Sequence, residues 1–208
     1  MSVNVRFWDR LARRYARMPL RDPETYEEKL TRTRAHFSPE MEVFEFGCGT
    51  GSTALAHAPF VKQVTAIDCS ANMIEIAQEK ALAEGIDNVR FEVARLEDMG
   101  LRPGCYDMVM AHNVLHLLED RKGALAHVHE MLRPNGVFVS STACAASAPL
   151  LFRIIVKLGH MVQLLPLFHL LTEDRLKADI EAAGFKIVDE WLPEGGRSAL
   201  FLIARKVG

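Results

Sequence analysis

Val43-Phe44-Glu45-Phe46-Gly47-Cys48-Gly49-Thr50-Gly51-Ser52-Thr53 is an apolar run that breaks into glycines at every second position, with an acid, Glu45, two residues ahead of the first. It reads as the first strand, the turn and the helix start of a nucleotide-binding α/β unit. Gly47, Gly49 and Gly51 let the backbone adopt dihedrals closed to other residues, and they let a ligand approach without meeting a Cβ. A flat, polar ligand fits such a loop.

The spacing argues against a dinucleotide. That fingerprint places a third glycine or small residue three positions after the second, where helix packs on strand, and counting from Gly49 reaches Ser52, which is not glycine. There is no Lys-Ser/Thr pair for a P-loop, and an anionic pyrophosphate gains nothing from Glu45. Farther on, Val64-Thr65-Ala66-Ile67-Asp68 reads as a second buried strand ending in a carboxylate. Asp68 stands about twenty residues past the loop, where an acid accepts hydrogen bonds from a ribose diol. Cys69 to Ala77 starts a helix that Ser70 is placed to cap.

The run Glu45 to Gly51 resembles the first motif of class I S-adenosylmethionine-dependent methyltransferases, in particular the small-molecule group similar to enzymes of ubiquinone and menaquinone biosynthesis. The resemblance continues in order through Asp68, through Ala94 to Met99, through Cys105 to His116 and through Leu132 to Val139, so five motifs span roughly residues 40 to 142. It implies S-adenosylmethionine as cofactor. On that resemblance Gly47, Cys48, Gly49 and Gly51 form the cofactor loop, and Glu45 answers the positive end of the sulfonium, usually through water. Asp68 with Cys69 takes the ribose side, Met73 lies against adenine, and Ala111 and His112 border the methionine part. Arg95 stands where relatives commonly carry an acid for the adenine amino group, and arginine has no acceptor. Adenine contact is therefore expected from the Leu96 N–H and the Glu97 carboxylate, with Arg95 turned to solvent.

Alternating strands and helices along the rest of the chain predict a doubly wound, mostly parallel, seven-stranded Rossmann-like α/β sheet with an antiparallel last strand. The 208 residues, 49% hydrophobic, suit one domain. Residues 1–38 are expected to form N-terminal lid helices, and residues 148–171, the most apolar stretch, a cap inserted after the fifth strand. Arg153, Lys157, His160, Gln163 and Pro166 interrupt that stretch, which excludes a membrane span. A cap over a lipophilic acceptor is the preferred reading, with a dimer interface, a membrane-surface helix and extra core as alternatives.

A net charge of −2 and a pI near 6.4 give no attraction to nucleic acid. Five arginines between Arg6 and Arg17 read as a solvated helix face, which leaves peripheral contact with anionic lipid open. Cys48, Cys69, Cys105 and Cys144 show no C-x-x-C pair and no zinc spacing, so free thiols, no metal and a cytoplasmic location are expected. The N-terminus has no apolar stretch of signal-peptide length.

In-line methyl transfer rests on placement and dehydration, and a base is needed only where the acceptor must lose a proton. His116, His160 and the lid residue Tyr15 are the candidates. His127 and His129 read as surface residues. The expected activity is methyl transfer to a small, lipophilic acceptor; a polar metabolite acceptor and a cofactor-binding module without catalysis are the alternatives. The sequence does not set the oligomeric state.

Overall fold

The computed structural model describes residues 3–20, 22–100, 103–162, 164–193 and 199–208. Gln163, one of the polar breaks in the cap, and Ser198, the expected start of the last strand, lie outside the described residues. Seven strands, β1 (Glu42–Phe46), β2 (Gln63–Asp68), β3 (Val89–Val93), β4 (Tyr106–His112), β5 (Leu132–Thr142), β6 (Phe185–Trp191) and β7 (Leu200–Lys206), form one sheet ordered β3-β2-β1-β4-β5-β7-β6. The first five pair in parallel, and β7 lies antiparallel between β5 and β6. The chain order reverses between β1 and β4, and in such sheets the ligand crevice lies at the carboxyl ends of the strands flanking that switch. The glycine loop leaves β1 at this point.

Strand residues alternate between two helix layers. Phe44, Phe46, Val109, Ala111 and Phe138 are buried against α5 (Arg121–Met131) and α7 (Glu173–Ala182). Val43, Met108, Met110 and Val139 are buried against α3 (Ser52–His57) and α4 (Ala71–Glu84). Local chemistry starts and stops these helices. The Ser70 hydroxyl accepts the Met73 N–H at 3.2 Å to open α4, and Gly85, at φ +66°, closes it. Asp120 and Thr172 cap α5 and α7 in the same way.

The N-terminal part forms two helices, α1 (Val3–Ala16) and α2 (Pro23–Arg34), the second capped by Asp22 with proline in its first turn. α1 lies on α4, where Trp8, Ala12 and Ala16 pack on Met73 and Ile76. Asp9 Oδ1 accepts the Ser70 hydroxyl at 2.6 Å. Two expectations change. β5 begins at Leu132, earlier than its apolar run indicates, because Leu132 pairs with Tyr106 across a register shift. His127 and His129 are partly buried, each with a buried Nε2, and His129 packs edge-on to Phe185.

The expected cap contains one helix, α6 (Leu150–Met161), none of whose residues is buried. Its apolar stripe, Leu151, Ile155, Leu158 and Val162, faces solvent, with Leu151 69% exposed. No helix among the described residues is long and apolar enough to cross a membrane.

Candidate functional site

The three loop glycines have left-handed φ angles, +65° at Gly47, +54° at Gly49 and +74° at Gly51, where a Cβ is strained. Their surroundings differ. A Cβ at Gly47 would come within 2.6 Å of Val114, and one at Gly51 within 2.7 Å of the Phe91 ring. At Gly49 a Cβ would meet nothing within 4 Å. The outer glycines are thus required by protein packing, while the middle one borders open space at the strand ends.

Asp68, the last residue of β2, holds this loop. Its Oδ2 accepts the Gly49 N–H at 2.9 Å and its Oδ1 accepts the Ser70 N–H at 2.9 Å. Burial raises the Asp68 pKa, while these donors oppose the rise. The Cys69 side chain is a third hydrogen-bond partner, and the two oxygens, with about four lone-pair sites, retain acceptor capacity beyond these bonds.

Glu45 on β1 is buried deeper. Burial, then the charge of Asp68, push its pKa up to about 8, against a hydrogen bond from the Ala54 N–H. Its Oε2 is buried and has no partner among the described residues. An orphaned carboxyl oxygen beside an open loop suits a cationic or hydrogen-bonding ligand group.

α2 contributes two residues that the sequence reading missed. The Tyr26 and Thr53 side chains share a hydrogen bond, and Tyr26 lies within electrostatic reach of Glu45. Lys29 Nζ donates to Ser141 Oγ at 2.9 Å, and burial lowers its pKa. Burial, then the Lys29 charge, bring His112 down to about 4; burial, then His112 and Arg34, bring His57 down to about 3. Both His57 ring nitrogens and His112 Nε2 are buried without partners. A polar layer therefore runs between α2, α3 and the ends of β1, β4 and β5. The only sequence signal for it is the spacing of Tyr26 and Lys29, one turn apart on a helix otherwise read as lid.

The remaining predicted residues are placed unevenly. Cys48 is buried and burial raises its thiol pKa; Cys69, next to Asp68, is raised to about 12, again chiefly by burial. Met73 does not line an open face, because α1 covers it. Leu96 and Ala111 belong to the α5/α7 core. Glu97 pairs with Arg95, so that arginine is engaged with the very carboxylate expected to read adenine. Tyr15 is half exposed and lies edge-on to Trp8.

The His116 ring is 4.6 Å from the Phe168 ring, with burial lowering its pKa to about 4. His160 and Phe168 both line a cavity of about 420 Å³ under α6. The backbone ties this region to the strand ends, since His116 C=O accepts the His169 N–H at 2.7 Å and Leu118 C=O bonds the His169 ring at 2.9 Å.

A family model described as a methyltransferase domain matches residues 37–188. The uncharacterised methyltransferase YcgJ of Bacillus subtilis is 28% identical over 122 residues, covering 59% of this chain and 48% of that protein. Its crystal structure superposes with a TM-score of 0.72 at 18% identity, over 88% of this chain and 99% of that one. Highly reducing polyketide synthase 40 of Fusarium pseudograminearum is 34% identical over 115 residues, covering 50% of this chain and 4% of the synthase. A Haloferax volcanii protein solved with the Trm112 methyltransferase activator superposes at a TM-score of 0.79 and 14% identity, over 100% of this chain and 98% of that one. The chain spans about half, or less, of the length of the curated relatives it matches.

Proposed function

The chain belongs to the methyltransferase-domain family, and from that premise we propose that it is a class I S-adenosylmethionine-dependent methyltransferase acting on a small, lipophilic acceptor. The observation that carries the reading is Gly49, a left-handed residue whose missing Cβ faces open space and whose N–H is held by the Asp68 carboxylate. Bound there, S-adenosylmethionine supplies a methyl group on a sulfonium sulfur, whose positive charge is lost on transfer.

The residues divide the work of holding it. Asp68, already fixed by two N–H donors, presents its remaining lone pairs to a ribose diol. Glu45 presents its unpartnered Oε2 to the cationic end of the cofactor, and Lys29, on the far side of the β4 end, takes the carboxylate of an amino-acid tail. Cys48, Cys69 and the Leu96 to Glu97 turn frame the rest of the cofactor, and α1 serves as the lid. With the acids on one side and the ammonium on the other, a zwitterion is oriented by charge alone.

Acceptor chemistry falls to the β4 side. Burial keeps His116 neutral at pH 7, the form that accepts a proton. His160 lines the same cavity as Phe168, the ring that His116 packs on, and Tyr15 is the third candidate. Leu150, Ile154, Leu167 and Leu170 in the cavity wall support an apolar acceptor. The net charge of −2 gives a nucleic acid no advantage, and four free cysteines fit the cytoplasm.

Titration calorimetry with S-adenosylmethionine and S-adenosylhomocysteine, followed by an assay of S-adenosylhomocysteine release from S-adenosylmethionine over a panel of apolar and polar acceptors, tests the proposal. Micromolar cofactor binding with turnover on apolar acceptors is expected. Absence of any cofactor uptake would overturn it.

A further inference from the structure

The helix α6 differs from an ordinary surface helix in leaving its apolar stripe uncovered. The ordinary kind buries its apolar stripe, because each apolar side chain removed from water is stabilising by about 1.5–3 kcal/mol, and leaves its cations in solvent. Here Leu151, Ile155 and Leu158 point outward, while Arg153, Lys157 and His160, spaced i, i+4, i+7 on the other side, border the cavity beneath, the two cations themselves still exposed. Phe152, edge-on to Phe168 with ring centres 6.1 Å apart, and Gly159, whose Cβ position lies 2.5 Å from the Leu165 side chain, fix the helix in this orientation.

The cations have nothing to answer. No acid occurs anywhere between Ser141 and Thr172, and neither Arg153 nor Lys157 has an ion-pair partner among the described residues. His160 adds a buried Nδ1 without a partner. Two unpaired cations and an orphaned ring nitrogen share one cavity with Leu150, Ile154, Leu167 and Phe168. An anion in this cavity is attracted by both cations and can pair with the ring nitrogen.

We propose that the cavity under α6 binds an anionic amphiphile, with an apolar body against Leu150, Ile154 and Phe168 and a carboxylate or phosphate held by Arg153 and Lys157. This deepens the methyltransferase reading and rests on it in taking the ligand to be the acceptor. The segment that follows β4 touches both places. Val114 fills the space beside Gly47 in the cofactor loop, and His116 packs at a tilt on Phe168, which lines the cavity. An amphiphile whose anionic group is fixed by α6 therefore has its body against Phe168, the ring that His116 packs on from behind the wall.

The test is calorimetric binding of octanoate, octyl phosphate, 1-octanol and octylamine to the full chain, with and without S-adenosylhomocysteine. The two anions are expected to bind at least tenfold tighter than 1-octanol, with octylamine weakest, and the tighter anion tells carboxylate from phosphate recognition. Arg153→Gln with Lys157→Gln should abolish the preference, whereas Leu151→Gln on the outer stripe should leave it intact. Equal binding of octanol and octanoate, or a preference that survives the double substitution, would overturn the proposal. Inorganic phosphate binding as tightly as octyl phosphate would overturn its apolar half. The exposed positions leave the fold unaffected, which unchanged S-adenosylhomocysteine binding in each variant checks. If the wild-type chain takes up no S-adenosylhomocysteine yet binds the anions, the cofactor reading fails and the cavity assignment stands.

Discussion

The backbone N–H of Gly49 donates to Oδ2 of Asp68 at 2.9 Å, so the carboxylate at the end of β2 sets the shape of the loop that leaves β1. One side chain thus has two tasks, holding the loop and offering the lone pairs that a ribose diol needs. Asp68→Ala removes both. We expect it to lower S-adenosylhomocysteine affinity at least a hundredfold by calorimetry, whereas Asp68→Asn, which retains one acceptor oxygen, should lose less. Equal affinity in wild type and Asp68→Ala would remove the assignment.

The glycines of the loop separate stability from binding. Gly49→Ala adds a methyl group that the protein itself does not meet, at a backbone cost of about 1 kcal/mol for the left-handed conformation. Gly51→Ala carries the same backbone cost and also drives its methyl into Phe91 and Ala77. Thermal melts should therefore show the larger loss for Gly51→Ala, and cofactor titration of folded protein the larger proportional loss for Gly49→Ala. The reverse order would mean that the open space at Gly49 is not where the cofactor lies.

Glu45 ties cofactor binding to pH. With its pKa raised to about 8 by burial and by Asp68, it is mostly protonated at neutral pH in the free protein. A cationic ligand favours the carboxylate, so binding near pH 7 should release up to about one proton. Titrations in buffers of different ionisation enthalpy read that number, and affinity should rise with pH and level off above about 8. In folding the sign is opposite: the folded state binds the extra proton, so this group's stabilising effect is full below the unfolded value near 4.5 and is lost as pH rises towards 8. Glu45→Gln should flatten the alkaline fall in melting temperature; an unchanged profile would contradict the shift.

Three histidines act at the acid side. His57, His112 and His116 are held neutral by burial, with pKa values of about 3, 4 and 4. In the unfolded chain they titrate near 6.5, so between that value and about 4 the unfolded state binds more protons and stability falls as pH drops. Urea midpoints at about pH 5 and pH 7.5 should differ, and at the lower pH the three rings take up about three protons on unfolding while Glu45 releases most of one, a net uptake of about two. His57→Phe, next to Phe37 in the core, should reduce that uptake by about one proton. Identical midpoints at both pH values would show that these rings titrate normally.

Much of the site was legible in the chain because it depends on contiguous spacing. Gly47, Gly49 and Gly51 sit in one turn, Asp68 ends the next strand, and Ser70 caps the next helix; a parallel sheet brings successive strand ends together whatever the details of packing. The seven strands and their order around the switch point follow from the same alternation. Met73, by contrast, reads from sequence as a ligand contact, yet α1 covers it, because Trp8 and Ala12 arrive from a helix distant along the chain. Arg95 meets Glu97, a local ion pair that position alone did not reveal.

Sequence by itself determined the sheet, the glycine loop and the two acids beside it, since each is a matter of period and spacing over a few residues. Only the tertiary structure decided that Glu45 is buried with an orphaned oxygen, that Lys29 reaches Ser141 across 112 positions, and that α6 leaves its apolar stripe in solvent while Arg153 and Lys157 border a cavity. Burial and helix rotation are set by what packs against a residue from elsewhere in the chain. No local pattern contains that information: the stripe Leu151, Ile155, Leu158 and Val162 has the same period whether it faces the core or the solvent.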